Sequence, residues 1–306
     1  MNAANRRALP PGRRCLAAYA ICACASLLGC NSDPDTGHHH DGEWADMASA
    51  DAAAMPPVPV QITWKARVGT APFACGQKYP GVGTGAGTTI EGADFRLYVH
   101  DVRLVDHAGA EHPVTLDEDN LWQHAGVALL DFEDKTGACT GTKEVHTQVR
   151  GTVPPSAHPW KGVRFKIGVP FAMNHADVAT APSPLNLSSM FWSWQGGYKF
   201  IRIEGQNAAG QGFLLHLGST GCMKDGTGAV TACSSPNRPD VTIDGFDPAQ
   251  QVIVADLATL FAGTDLTPAV ECMSGPATPD CPPLFSRLGL PYGTAPAGVQ
   301  QLFRVE

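Results

Sequence analysis

Apolar and polar residues alternate with a period of two in several short runs along this chain. In segment 94–105 (DFRLYVHDVRLV), Phe95, Leu97 and Val99 are separated by polar neighbours, the pattern of a half-buried strand. Segments 197–205 (GYKFIRIEG) and 212–218 (GFLLHLG) alternate equally well, and 58–68 (VPVQITWKARV) more weakly. Shorter apolar runs at 126–132, 145–153, 161–168, 239–244 and 251–256 are further strands, and the turn Asp106-His107-Ala108-Gly109 leads into a partner strand at 112–116. Residues 72–92 hold a Gly/Thr-rich loop. Residues 169–190 fit neither the strand nor the helix period and are expected to form an ordered loop with short helical turns. Residues 256–264 allow one or two helical turns, and the Pro-rich tail 272–306 only short pieces. Many short strands, frequent turn signals and no long amphipathic helix predict an all-β fold. The expected architecture is an antiparallel β-sandwich, a single domain over 58–306 with long ordered loops and disulfides.

The first residues read as an address rather than a fold. Arg6, Arg7, Arg13 and Arg14 precede a short apolar stretch, 15–28, too short for a good membrane span. Residues 1–29 are therefore expected to be a secretory signal. It ends in Leu27-Leu28-Gly29-Cys30, which resembles a bacterial lipobox, with Cys30 as the acylated first residue of the mature chain. Asn31 in place of Asp leaves nothing to retain the protein at the inner membrane, so the expected location is the periplasm, lipid-anchored at the outer membrane. Residues 31–57 lack apolar periodicity and read as a flexible linker. Its His38, His39 and His40 are either solvated or a weak metal trap.

Of 306 residues, 43% are hydrophobic and only 16% charged, and the net charge is −8. That supports a sizeable core and argues against nucleic acid as a partner, which needs a basic face. There are 10 Cys. Cys15, Cys22 and Cys24 leave with the signal and Cys30 would carry lipid. Six remain: Cys75, Cys139, Cys222, Cys233, Cys272 and Cys281. An even count in an exported chain implies disulfides. Six cysteines admit many connectivities; proximity favours Cys222–Cys233 and Cys272–Cys281, leaving Cys75–Cys139. No C-x₂-C pair supports a zinc site.

Among residues that carry chemistry, Trp122 and His124 lie two apart and would share a strand face. His216 is a polar residue inside an apolar strand. Two imidazoles from separate strands could hold copper; each His alone could equally be a hydrogen-bonded structural residue. His175, between Asn174 and Asp177 in the unassigned loop, is an additional metal or structural candidate. His100, His107, His112, His146 and His158 read as solvent-exposed. Trp192 and Trp194 form an aromatic patch, read as core plus edge or as an electron or partner-docking surface. No nucleophile elbow or calcium loop is present.

Several blocks together resemble the MbnP-like, or metallo-mystery-pair four-Cys-motif, proteins: Asp94–Val99, Val127–Asp134, Gly168–Phe171, Asn174-His175, Pro182–Asn186, Met190–Lys199 and His216–Cys222. The resemblance covers about 60–260. It implies an exported bacterial copper-binding protein whose partner is a di-haem, MauG-like cytochrome c peroxidase relative (MbnH-like) that oxidises a tryptophan to kynurenine. The related proteins MopE and CorA bind copper through a kynurenine and two His, and their W-x-H arrangement is similar to Trp122-Gln123-His124. The resemblance thus implies copper held by a kynurenine from Trp122 with His124 and His216. It also implies that Cys75, Cys139, Cys222 and Cys233 are the family's four Cys, with Cys272 and Cys281 an extra pair. The expected role is non-enzymatic copper acquisition or homeostasis. The alternatives are a copper-dependent oxidoreductase or a carbohydrate- or protein-binding β-sandwich.

Overall fold

The computed structural model describes residues 55–84 and 87–306; the signal segment, Cys30 and the His38–His40 tract lie outside them. Two sheets form a sandwich. The first runs, in spatial order, Phe303–Val305, Ile253–Asp256, Val58–Val68, Gln148–Val153 and Thr115–Leu116, with Ala71–Pro72 folded back on Val58–Val68. The second is organised by the long strand Thr88–Asp106. One edge of that strand carries Ile201–Asn207 and then Trp160–Ile167; the other carries Lys78–Val82, Val127–Asp131 and Glu111–Pro113. Gly212–Leu217 pairs outside Ile201–Asn207, and Gln123–His124 outside Val127–Asp131.

The sheets meet through aromatic side chains. Trp64 and Phe303 of the first sheet enclose Phe165 of the second, with the Trp64 and Phe165 rings 4.8 Å apart, edge to face. Phe95, Leu97 and Val99 point into this core, as their alternation predicts. All three disulfides close as proximity favoured: Cys75–Cys139, Cys222–Cys233 and Cys272–Cys281.

The structure is all-β, but it differs from the sequence reading in three places. Two pairings are parallel, Val58–Val68 with Ile253–Asp256 and Gly212–Leu217 with Val270–Cys272. Long connections permit this, because parallel neighbours need an extended crossover. The tail is also more ordered than its prolines suggest. Pro282 and Pro283 sit in the first turn of the helix Cys281–Arg287, where a missing N–H costs nothing. Residues 303–305 then complete the first sheet. Finally, the long strand is buried on both faces. Its second face, Asp94, Arg96, Tyr98 and His100, is roofed by segment 169–200: Tyr98 donates to the Pro184 carbonyl and Arg96 to Ser189 Oγ. His100, expected at the surface, is buried there, its Nδ1 2.8 Å from the Gly168 carbonyl, and burial pushes its pKa down to about 4. His112 and His146 are half-buried rather than exposed.

Candidate metal site

Strand register decides which polar side chains share the roofed face. Arg96 lies opposite Asp131 on one side and Arg202 on the other; Arg202 lies opposite His216, and Asp94 opposite Glu204. Residues in register project to one face, so these six form a connected polar layer in which Asp94, Arg96, Asp131 and His216 are buried and Arg202 and Glu204 are half-buried. Asp94 takes a two-point bond from Arg96 and lies 3.1 Å from Arg202. Arg202 also grips Glu204 at 2.7 and 3.0 Å. Burial works against the Arg96 charge, but Asp94, Asp131 and Glu133 outweigh it and raise the guanidinium pKa.

Asp131 behaves differently. Burial raises its carboxyl to about 7, against the hydrogen bond from Thr142 and the charge of Arg96. The folded state therefore holds a proton that the unfolded chain gives up near 3.8. Stability from this residue is fully present below that value and is lost as pH rises towards 7. Thermal melts of Asp131→Asn should decline less between pH 4 and 7 than those of the parent chain; parallel slopes would contradict this.

At the Gly212–Leu217 end of the layer, His216 Nε2 lies 2.6 Å from Glu204 Oε1. Burial alone would raise the Glu204 carboxyl, but the His216 and Arg202 hydrogen bonds hold it far below the usual carboxylate range. Glu204 is therefore ionised and can only accept, so Nε2 of His216 carries the proton. Burial also lowers the His216 pKa, against the pull of Glu204, so the ring is neutral. Its Nδ1 is then an unprotonated lone pair. That nitrogen is buried and has no hydrogen-bond partner. A carboxylate fixing one imidazole nitrogen while the other stays free is the usual support of a metal-binding His.

The Trp192 ring lies beside His216, centroids 6.3 Å apart, and its buried Nε1 is likewise unpartnered. Trp192 reaches this position because Gly218 leaves room: a Cβ there would lie 2.5 Å from Trp192 Cζ3. The short hairpin Phe191–Trp192/Gly197–Tyr198 carries Trp192, and its turn presents Trp194, 56% exposed and 5.4 Å from Trp192 between centroids. Asn174 and His175 hold this hairpin. Asn174 Oδ1 accepts from the Tyr198 N–H at 3.0 Å, and His175 Nδ1 lies 2.7 Å from the Gly196 carbonyl. Both halves of the aromatic-patch reading are thus realised, Trp192 as core and Trp194 as edge.

Trp122 lies in the bend before the two-residue strand Gln123–His124, and the set Trp122, His124 and His216 does not converge. His124 pairs opposite Val127, which pairs opposite His100 on the long strand, whereas His216 lies two strands beyond that strand's other edge. Four strand spacings, roughly 19 Å along the sheet, separate the two imidazoles. His124 instead meets Glu118 at 2.8 Å near the surface. Trp122 stacks on His146, rings 5.0 Å apart and 2° from parallel. Its loop is fixed by Asp119 Oδ1, which accepts from the N–H groups of Leu121, Trp122 and Gln123. Sequence spacing yields the i, i+2 neighbour, but not strand order, which separates this edge from His216.

The family model for MbnP matches residues 57–274. Among solved structures, MbnP from Methylosinus trichosporium is similar, with a TM-score of 0.70 and 32% sequence identity over 82% of this chain and 98% of that one. No curated protein sequence matches significantly. His216, Glu204, Trp192, Trp194 and His175 all fall inside the matched region, while Cys281 and the strand Phe303–Val305 lie beyond it. With the family model covering well over half of its length and a relative of the same fold at this identity, the chain belongs to the MbnP family.

Proposed function

We propose that this protein is a copper-binding protein of copper acquisition or homeostasis, not an enzyme, and that His216 Nδ1 is the centre of its copper site. The observation that carries this reading is the buried, unpartnered lone pair of a neutral His216 whose other nitrogen is held by Glu204. An imidazole nitrogen in a dry setting suits copper. Copper is cargo here, and the chain's own part is to hold a neutral imidazole in one tautomer, supported from behind by Glu204 and Arg202.

Trp192 takes the place first assigned to Trp122. Its ring is the indole beside His216, and its N–H has no other partner. Oxidation by a di-haem MauG-like partner would convert it to kynurenine, whose aryl amine is a second nitrogen donor. Trp194, exposed and packed on Trp192, is the aromatic surface open to such a partner. Export, cleavage after residue 29 and lipidation of Cys30 would place the domain in the periplasm at the outer membrane.

Peptide mass spectrometry on protein from its native host tests the assignment. The Trp192 peptide should show loss of one carbon and gain of one oxygen, with Trp122 unchanged. The modification on Trp122 instead would move the site to the His124–His146 edge; three unmodified tryptophans in the presence of the partner would leave a site of histidine alone.

A further inference from the structure

The ribbon Thr220–Lys224/Val230–Ser235 begins four residues after His216, and its Cys222–Cys233 disulfide bridges two residues directly opposite each other. His175 packs against that bond: its Nε2 lies 3.5 Å from Cys233 Sγ, and all three potential ligand atoms fall within 4.8 Å of one another. Because His175 Nδ1 faces the Gly196 carbonyl, which can only accept, Nε2 is the unprotonated nitrogen.

We propose that Cys222 and Cys233, once reduced, join His175 Nε2 in a thiolate site for a soft monovalent cation such as Cu(I). This second site is distinct from His216 and rests on the copper reading only for the identity of the ion.

The geometry suits it. Around a copper- or zinc-sized ion, with sulfur at about 2.3 Å and nitrogen at about 2.0 Å, sulfur and nitrogen ligands stand roughly 3.5 Å apart. His175 and Cys233 already have that separation; the sulfur–sulfur bond has to open and the metal has to displace the hydrogen bond that Nε2 accepts from Asn174 Nδ2 at 3.1 Å. Two thiolates and an imidazole favour Cu(I) over hard cations. Lys224 and Arg238 act on the His175 ring and bring positive charge to this corner, which favours thiolate over thiol. Access also favours this bond. Cys222 and Cys233 are both half-exposed, whereas Cys139 of the Cys75–Cys139 bond is buried and Cys272 and Cys281 are both fully buried.

The chemistry balances with a dithiol reductant. The reductant gives up two electrons and two protons and becomes a disulfide; the Cys222–Cys233 bond breaks and takes them up as two thiols. The metal then displaces the two thiol protons to solvent, with no further electron transfer. Reduction of one surface bond would thus open a second copper position beside the Trp192 hairpin, because His175 anchors both.

The test uses the whole mature protein, oxidised or treated with a phosphine reductant, and Cu(I) buffered by a competing chelator. Reduction should expose Cys222 and Cys233 to alkylation before Cys272 and Cys281, and should add one Cu(I) equivalent that shields both thiols. This shielding is read in the unmutated chain and so does not depend on any variant folding. His175→Ala should weaken the added equivalent roughly tenfold or more, and His216→Ala should leave it in place. Thiols that stay reactive in the presence of Cu(I), or an unchanged affinity in His175→Ala, would overturn the proposal. An oxidised protein that binds no copper and a reduced one that binds one equivalent would uphold it while removing the His216 reading.

Discussion

Replacing His216 with alanine is expected to lower the copper affinity of the oxidised protein by roughly a hundredfold or more, since it removes a ligand whose supporting partners alone are worth about 10–100-fold. Glu204→Gln is the finer probe. It keeps the shape and a hydrogen-bonding group but removes the carboxylate that fixes the His216 tautomer at 2.6 Å. Its affinity should fall by about 10–100-fold, with the stoichiometry unchanged. His124→Ala should be silent, because that ring bonds Glu118 near the surface at the far edge of the sheet. A competition titration with a Cu(I) chelator reads all three, with circular dichroism to confirm that each variant folds. Equal losses in His124→Ala and His216→Ala would mean that the far edge takes part after all.

The second large effect falls on stability. Arg96 and Asp94 are 1% and 0% exposed and bound to each other at two points. Arg96→Met would leave Asp94, Asp131 and Glu133 facing a face from which one cation has gone. Breaking a buried pair by removing one partner costs about 3–5 kcal/mol. Arg202, 3.1 Å from Asp94, still supplies some compensation, so the lower end of that range applies. The thermal midpoint should drop by roughly 10 °C for a domain of this size. Adding Asp94→Leu to Arg96→Met should recover part of the loss, because the orphaned charge goes too. A midpoint unchanged in the single variant would show that the layer is hydrated rather than dry.

These two predictions also mark where the sequence stops being legible. Alternation correctly assigned Phe95, Leu97 and Val99 to the core, because a sheet's inner face has one solution. It read the opposite face as solvated, because most of the roof over it, 169–190, has no periodicity. Short hairpins, single helical turns and backbone-capped loops leave no repeat to detect. His216 stood out as a polar residue in an apolar strand, and it is buried within that strand. Its partner Glu204 did not, since the diagonal contact depends on the register of two strands. Trp122 and His124 show another limit: spacing makes them neighbours along the chain, but each has its own partner, His146 and Glu118, and the third member of the set lies four strands away.

The placement of Val58–Val68 has a consequence for the order in which the chain can be finished. This strand is the first of the described elements to be made, yet one of its neighbours is Ile253–Asp256, which is itself edged by Phe303–Val305. Lys65 and Arg67 meet Glu306 by ion pairs. During synthesis the early strand has an open flank until those late residues emerge. A fold closed by such distant pairings forms slowly, because loop closure precedes the contacts that reward it. The first sheet is thus completed only after residues 303–305 have been made, whereas the strands around Thr88–Asp106 find their partners earlier in the chain.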